Sequence, residues 1–411
     1  MKFAFISHLL PPTWGGQTIM IYRVLQGVSP EDYCLISPHN YEAEAFTGVY
    51  TWRLPARYHQ LAPDAQLTRG YRFGLARARA AANVPLGLVS RARRIAAIVR
   101  REQCRAVVAC TGSLLDLPAG YLASRMAGVP FYAYLFDYYS YQSTDPVESF
   151  YARRFEPWVL KGAAGIIAPN EFLRDELRAR YGVEATVIRN PCDLSGYEEP
   201  LEGGDALDAG DAAGGGGEVE IVYTGAVYEA HYDAFRNLVA GVGQLGRPGV
   251  RLHLYSASPV DWEREGISGP AVVLHGHRAA SEVPGIQRRA DILFLPLAFR
   301  SPYPVLIRTS ATSKLGEYLA ARRPILVHAP PDSFISWYFR EHGCGVVVDR
   351  EDPAELARAV ERLAGDAGLR REVSARAWER ARTDFSVAAS QAAFARLLKL
   401  ERDGRRAAPN C

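Results

Sequence analysis

Several protein classes are excluded by what this 411-residue sequence lacks. Its six cysteines (Cys34, Cys104, Cys110, Cys192, Cys344 and Cys411) form no Cys-x-x-Cys and no His–Cys cluster. That scatter argues against a zinc site or a disulfide framework and for a reducing compartment. No stretch approaches the roughly 18 apolar residues of a membrane span. The opening run Met1-Lys2-Phe3-Ala4-Phe5-Ile6-Ser7 is too short for a leader, and no small-residue cleavage site follows, so the expected location is cytoplasmic. No Gly-x-Gly-x-x-Gly follows a predicted strand, which removes the dinucleotide fingerprint. No Asp-x-Asp stands at a strand end, so no metal is expected. Charge of one sign is also missing: the net value of +3 points to no particular partner.

What is present is globular, with 48% hydrophobic and 23% charged residues in a chain long enough for two domains. Short apolar runs alternate with helical periodicity, the βαβ rhythm of parallel α/β sheets. Strands are expected at Phe3–Ser7, Tyr33–Ser37, Ala106–Ala109, Phe131–Tyr134, Gly165–Ala168 and Ala185–Ile188. In the second half they fall at Glu220–Thr224, Arg251–Tyr255, Val272–His275, Ile292–Pro296, Ile325–His328 and Gly345–Val348. Between the halves, residues 198–218 are rich in Gly and Asp and nearly free of large apolar side chains, which reads as a flexible linker. The expected domains are residues 1–197, joined by a C-terminal helix and tail at 385–411, and residues 219–384. Ligands of such sheets bind at the carboxyl ends of the strands, so two facing halves predict a cleft between domains.

The most informative stretch runs from Thr309 to Ala321. Thr309, Ser310, Thr312 and Ser313 make a small-residue loop whose backbone N–H groups should be accessible, with Thr312 or Ser313 as helix cap. A helix start suits phosphate. Lys314 and Glu317 share one helical face, and Leu315 and Leu319 another that should be buried. A carboxylate beside a phosphate seat suits sugar hydroxyls rather than the phosphate, although a solvated Lys–Glu pair on an amphipathic helix would read the same way. Arg300 to Arg308 reads as a proline-rich loop, and Arg308 is a candidate for bidentate phosphate contact or a solvated loop arginine.

Other candidates follow strands. Gly15 and Gly16, after the first strand and before a helix, permit close backbone approach to an anionic ligand. Asp137 closes an apolar strand among aromatics, which suits either a cleft-facing carboxylate or a solvated strand end. Asn170 is the expected cap before Glu171–Arg180. Gly225 follows the first strand of the second half. Gly276, His277 and Arg278 form a turn suited to the edge of a base, or to an ordinary surface loop. From Arg53 to Arg105 twelve arginines face only Asp64 and Glu102, with helical periodicity over Leu86–Glu102. A solvated face explains this, and contact with an anionic membrane or acceptor remains open. Nucleic acid is not expected.

In order and spacing these pieces resemble the retaining GT-B glycosyltransferases of family 4 over nearly the whole chain. They are Pro11-Pro12-Thr13-Trp14-Gly15-Gly16, Asp137, Ile166-Ile167-Ala168-Pro169-Asn170, Val187-Ile188-Arg189-Asn190-Pro191-Cys192-Asp193, Tyr223-Thr224-Gly225, Leu274-His275-Gly276-His277 and the stretch around Lys314. The resemblance implies two facing Rossmann-like domains and a C-terminal helix, Val387–Leu400, that crosses back to the first. It implies a nucleoside-diphosphate-sugar donor on the second domain, a hydroxyl acceptor on the first, and no other cofactor. Gly15 and Gly16 would lie against donor sugar and diphosphate, Asp137 near the reacting sugar, Gly276 and His277 beside the base, and Glu317 on the ribose. The pattern departs from the family in three places. Thr309 stands where the first glutamate of the Glu-x7-Glu motif is expected, Phe136 where a histidine is common, and Ala226 to His231 lack the Gly-Arg and lysine that usually hold the diphosphate. Arg308 and Lys314 are the nearest substitutes. The alternatives are an inactive homologue serving as a partner subunit, or a nucleotide-sugar epimerase.

Overall fold

The structure is a computed structural model that describes residues 1–13, 15–41, 52–67, 76–198 and 218–400. The chain forms two compact units, residues 1–189 with 388–411, and residues 190–387.

The first unit contains β1 (Phe3–Ile6), α1 (Gly16–Leu25), β2 (Tyr33–Ser37), β3 (Arg57–Gln60), α2 (Ala76–Arg101), β4 (Ala106–Cys110), α3 (Asp116–Ala127), β5 (Phe131–Tyr134), α4 (Pro146–Gly162), β6 (Gly165–Ala168), α5 (Glu171–Tyr181) and β7 (Thr186–Val187). They build a parallel seven-stranded sheet in the order β3-β2-β1-β4-β5-β6-β7. The central strands are buried along their whole length, as a sheet covered on both faces requires. Asn170 caps α5 as expected, its side chain accepting from the Leu173 amide at 2.9 Å. The sequence gives no sign of β3: Arg57-Tyr58-His59-Gln60 has no apolar run, and as an edge strand it is held by pairing with β2 rather than by burial. The helix expected at Leu86–Glu102 begins ten residues earlier, at Ala76, and continues through Pro85.

The second unit contains α6 (Ser195–Glu198), β8 (Val219–Thr224), α7 (Tyr232–Leu245), β9 (Val250–Tyr255), β10 (Val272–His275), α8 (Val283–Arg289), β11 (Ile292–Pro296), α9 (Pro304–Thr309), α10 (Lys314–Ala320), β12 (Ile325–His328), α11 (Phe334–His342), β13 (Val346–Val348), α12 (Pro353–Gly365) and α13 (Ala367–Asp384). Its parallel sheet has six strands, ordered β10-β9-β8-β11-β12-β13. Two expectations change here. Arg300–Arg308 is not all loop, because Pro304–Thr309 winds into α9, with Pro304 at the first turn where it removes no needed donor. The first unit ends at Arg189 rather than at 197. Asn190 donates to the Ala311 carbonyl at 2.9 Å, the Cys192 amide to Phe385 at 2.7 Å, and the Tyr197 hydroxyl to Gln287 at 2.7 Å, which bind this segment into the second unit. Most of the expected linker, residues 199–217, and the tail beyond residue 400 lie outside the described residues.

The last helix, α14 (Val387–Leu398), returns to the first unit. Phe394 is fully buried against Phe3, with ring centroids 5.9 Å apart, and Gln391 donates to the Arg23 carbonyl at 2.9 Å. No described helix is long and apolar enough to cross a membrane.

Candidate active site

In the second unit the candidate residues gather at the carboxyl end of β8. Gly225 turns the chain there with φ of +121°, a conformation that favours glycine, and its amide donates to the Tyr255 carbonyl at 2.9 Å. The Tyr318 hydroxyl, carried by α10, accepts from the Thr224 amide at 3.0 Å. Gln287 donates to the Thr224 hydroxyl at 2.9 Å. The Tyr318 bond fixes α10 to the end of β8, and the Gln287 bond ties α8 to the same strand end. Leu315 and Leu319 face the core, as their spacing predicts, and Lys314 and Glu317 take the other side.

Lys314 therefore reaches the β8 turn. Its Nζ lies 5.1 Å from the Tyr223 ring centroid, a cation–π contact, and a Cβ placed on Gly225 would come within 2.4 Å of its Cε. Burial lowers the Lys314 ammonium to about 8, with the nearby Glu317 carboxylate partly opposing the shift. His231, at the start of α7, is buried, and burial followed by the charge of Lys314 drives it down to about 3. The imidazole is thus neutral, and the lysine is the only cation of the pair.

The loop before α10 differs from its expected form. Ser313 occupies the cap position, yet its side chain makes no capping bond. Thr312 supplies local partners instead: its carbonyl accepts from the Leu315 amide at 3.2 Å, and its hydroxyl lies 3.5 Å from the Lys314 amide. Two of the N–H groups expected to be open are therefore engaged, and α10 has only seven residues. Thr309 is buried at the end of α9 and donates to the Val305 carbonyl at 2.8 Å, so its hydroxyl serves the helix as well. Arg308 and Ser310 are half-buried at the same helix end. His277 and Arg278 stand apart, exposed after β10 at the sheet edge, two strands from β8. The Arg278 guanidinium lies 5.9 Å from the Tyr255 ring, which stacks on His275 at 4.1 Å.

In the first unit, Gly15 and Gly16 begin α1, and the Thr18 hydroxyl donates to the carbonyls of Thr13 at 2.6 Å and Gly15 at 2.9 Å. Asp137 follows β5. Its side chain reaches solvent, and the surrounding protein raises its carboxyl to about 6 by desolvation. Phe136 stacks on Tyr134 at 4.4 Å and is committed to the core.

One pocket went unrecognised in the sequence. A cavity of about 420 Å³ opens beside the carboxyl ends of β1 and β4, lined among others by His8, Asn83, Arg91, Gln142 and Glu148. Arg91 binds Asp64 at 2.5 Å and the fully buried Asp116 at 2.6 Å. The signal was available: Arg91 falls on the apolar register of α2, with Leu88, Ala92 and Ile95, and so points inward. Among the described residues no group of His, Cys, Asp or Glu side chains is placed to hold a metal ion.

Residues 49–195 match the family described as Glycosyltransferase Family 4, and residues 218–366 match Glycosyl transferases group 1. Together these matches cover more than half of the chain. The chain belongs to the family 4, group 1 glycosyltransferases. Its two parallel-sheet Rossmann-like domains are those of the GT-B fold. HepE of Anabaena, solved with UDP-glucose, is 15% identical with a TM-score of 0.68, over 98% of this chain and 100% of that one. Sucrose-phosphate synthase of Thermosynechococcus elongatus is also 15% identical with a TM-score of 0.68, over 97% of this chain and 98% of that one. MnaA of S. aureus, solved with UDP, is 12% identical with a TM-score of 0.58, over 98% of each chain. No curated protein matches the sequence. Ala226 to His231, after β8 of this glycosyltransferase, hold no arginine or lysine, and the cation at this strand end is Lys314 of α10.

Proposed function

We propose that this glycosyltransferase transfers a sugar from a nucleoside-diphosphate sugar to a hydroxyl acceptor with retention at the anomeric carbon. The product would belong to a polysaccharide, a glycolipid or a secondary metabolite. The observation that carries the reading is Lys314 against Gly225, a partly desolvated ammonium at the carboxyl end of the first strand of the second sheet. Binding of UDP by HepE and MnaA supports a uridine nucleotide as the donor base.

The bond from the anomeric carbon to the diphosphate oxygen breaks, and the electron pair leaves with the diphosphate. Charge builds on that group, and Lys314 with Arg308 offsets it in a site where low dielectric strengthens the interaction. The acceptor oxygen bonds to the anomeric carbon on the same face, and its proton passes to the departing phosphate oxygen. No protein nucleophile and no metal are called on. Glu317 accepts from the ribose hydroxyls, Ser310, Thr312 and Ser313 offer hydroxyls to the phosphates, and His277 with Arg278 flanks the base. Gly15, Gly16 and Asp137 are assigned to the donor sugar.

Thermal shift with UDP-, GDP- and dTDP-sugars tests donor binding, and mass spectrometry of a donor panel with and without acceptors tests transfer. A uridine donor that raises Tm and yields a product of α configuration from an α-linked donor is the expected result. No stabilisation by any of the three, or an inverted product, overturns it.

A further inference from the structure

Helix α4 carries a surface that the transfer reaction does not explain. Its inner face is fixed to the first unit. Ala152, Val159 and Leu160 are buried, Glu156 accepts from the Tyr181 hydroxyl at 2.5 Å and the Ser140 amide at 3.2 Å, and the Tyr151 hydroxyl donates to the Ala81 carbonyl of α2 at 2.9 Å. Asp145 caps its start by accepting from the amides of Val147 and Glu148. The outer face runs Phe150, Arg153, Arg154, Trp158, Lys161, at the three- and four-residue steps that bring side chains onto one stripe. All five are exposed, Phe150 at 65% and Trp158 at 41%. A rigid helix thus presents two large aromatics and three cations outward. The acidic residues of α4 are elsewhere: Glu148 lines the pocket at its first turn, and Glu156 is buried. Phe150, Arg153 and Arg154 also line an open depression of about 450 Å³. Leu86 and Val89 of the neighbouring α2 add exposed apolar area.

We propose that this stripe docks the protein on an anionic lipid bilayer. Aromatic rings suit the boundary between headgroup and acyl chain, and cations beside them attract anionic headgroups. The charge complementarity selects this occupant: three cations interleaved with two aromatics, and no exposed carboxylate from Phe150 to Lys161. The basic run at 53–105 is less suited than its composition predicts, because several of its arginines already have partners within the fold. Arg91 is held by Asp64 and Asp116, Arg94 donates to the carbonyls of Ala62 and Pro63, Arg100 donates to that of Met126, and Arg57 pairs with Glu102.

The test is sedimentation of the full chain with vesicles of phosphatidylcholine alone and of phosphatidylcholine with phosphatidylglycerol, at low and high salt. Binding only to the anionic vesicles, weakened by salt, is expected. Arg153→Glu with Arg154→Glu should lower it by about tenfold or more, and Phe150→Ser with Trp158→Ser should lower it at every salt concentration. Circular dichroism and UDP-sugar thermal shift on the same variants should match wild type, which separates this proposal from the transferase reading. Three outcomes overturn it: no sedimentation of wild type with anionic vesicles at low salt, equal binding by the variants, or a dimer that the variants dissolve without any vesicle binding.

Discussion

Gly225 and Lys314 are in mutual contact: the glycine leaves the space that the lysine stem occupies, 2.4 Å from where a Cβ would stand. Substituting Gly225→Ala does two things. It places a Cβ at φ of +121°, where L side chains are strained at a cost of order 1–3 kcal/mol, and it displaces the Lys314 stem. Calorimetry should show weaker nucleotide binding than wild type, and denaturant unfolding a loss of stability in that range. Unchanged affinity would separate Lys314 from the nucleotide.

The depressed value of Lys314 gives a second expectation. A bound diphosphate favours the charged form and raises the pKa. Between about 8 and the usual lysine value of 10.5 the free protein is mostly deprotonated at this site and the complex protonated, so binding takes up a proton. Titrations in buffers of different ionisation enthalpy measure that uptake, and Lys314→Met should abolish it. The stability sign follows from the same shift. The unfolded chain binds this proton more tightly than the folded one, so stability rises with pH between about 8 and 10.5, and Lys314→Met removes the rise.

Glu317 shares the helical face of Lys314 on a seven-residue helix anchored through Tyr318 to Thr224. A carboxylate accepting from ribose hydroxyls contributes about 1.5–3 kcal/mol. Glu317→Ala should therefore weaken nucleotide binding by about 10- to 100-fold and leave affinity for free inorganic diphosphate nearly unchanged. Equal loss for both ligands would assign Glu317 to holding Lys314 rather than the ribose.

The pocket of the first unit rests on Arg91 and Asp116. Burial pushes the Asp116 carboxyl up from its usual range, even though Arg91 donates to it at 2.6 Å. Arg91→Met leaves a fully buried carboxylate without its cation, which costs about 3–5 kcal/mol. The double variant Arg91→Met with Asp116→Leu should recover part of that loss, because apolar replacement of a buried pair is often near neutral while Asp64 still lacks its guanidinium. Urea unfolding with matched m-values measures both.

Much of this was legible in the sequence, for identifiable reasons. Strands such as Phe3–Ile6 and Ile292–Pro296 are buried on both faces and so spell themselves as apolar runs. Arg57–Gln60 is a strand only through its pairing with β2, and pairing leaves no local trace. The stretch around Lys314 and the turn at Gly225 were each recognised, while their meeting was not, because contact between residues 225 and 314 depends on tertiary placement. Thr312 and Thr309 show a different limit. Hydroxyls in a loop advertise either a ligand site or local capping, and here the Thr312 hydroxyl faces the Lys314 amide and the Thr309 hydroxyl donates to the Val305 carbonyl, both local.

Asp137 gives the last prediction. Its carboxyl is raised to about 6 by desolvation, with no opposing charge contributing. A carboxylate that accepts from a donor-sugar hydroxyl must be ionised, so turnover should fall as pH drops through about 6 while nucleotide affinity, which the proposed function assigns to the second unit, should hold. Asp137→Asn keeps the shape and removes the titration. It should lower kcat across the range, flatten the acid limb of the pH profile, and leave the Kd for free UDP within about twofold. The stability sign runs the other way from catalysis: the ionised group is the disfavoured one, so protonation as pH falls from about 6 toward 3.8 stabilises the fold. Loss of turnover below pH 6 therefore cannot come from this residue unfolding the protein, and an acid limb that survives in Asp137→Asn would assign it to another group.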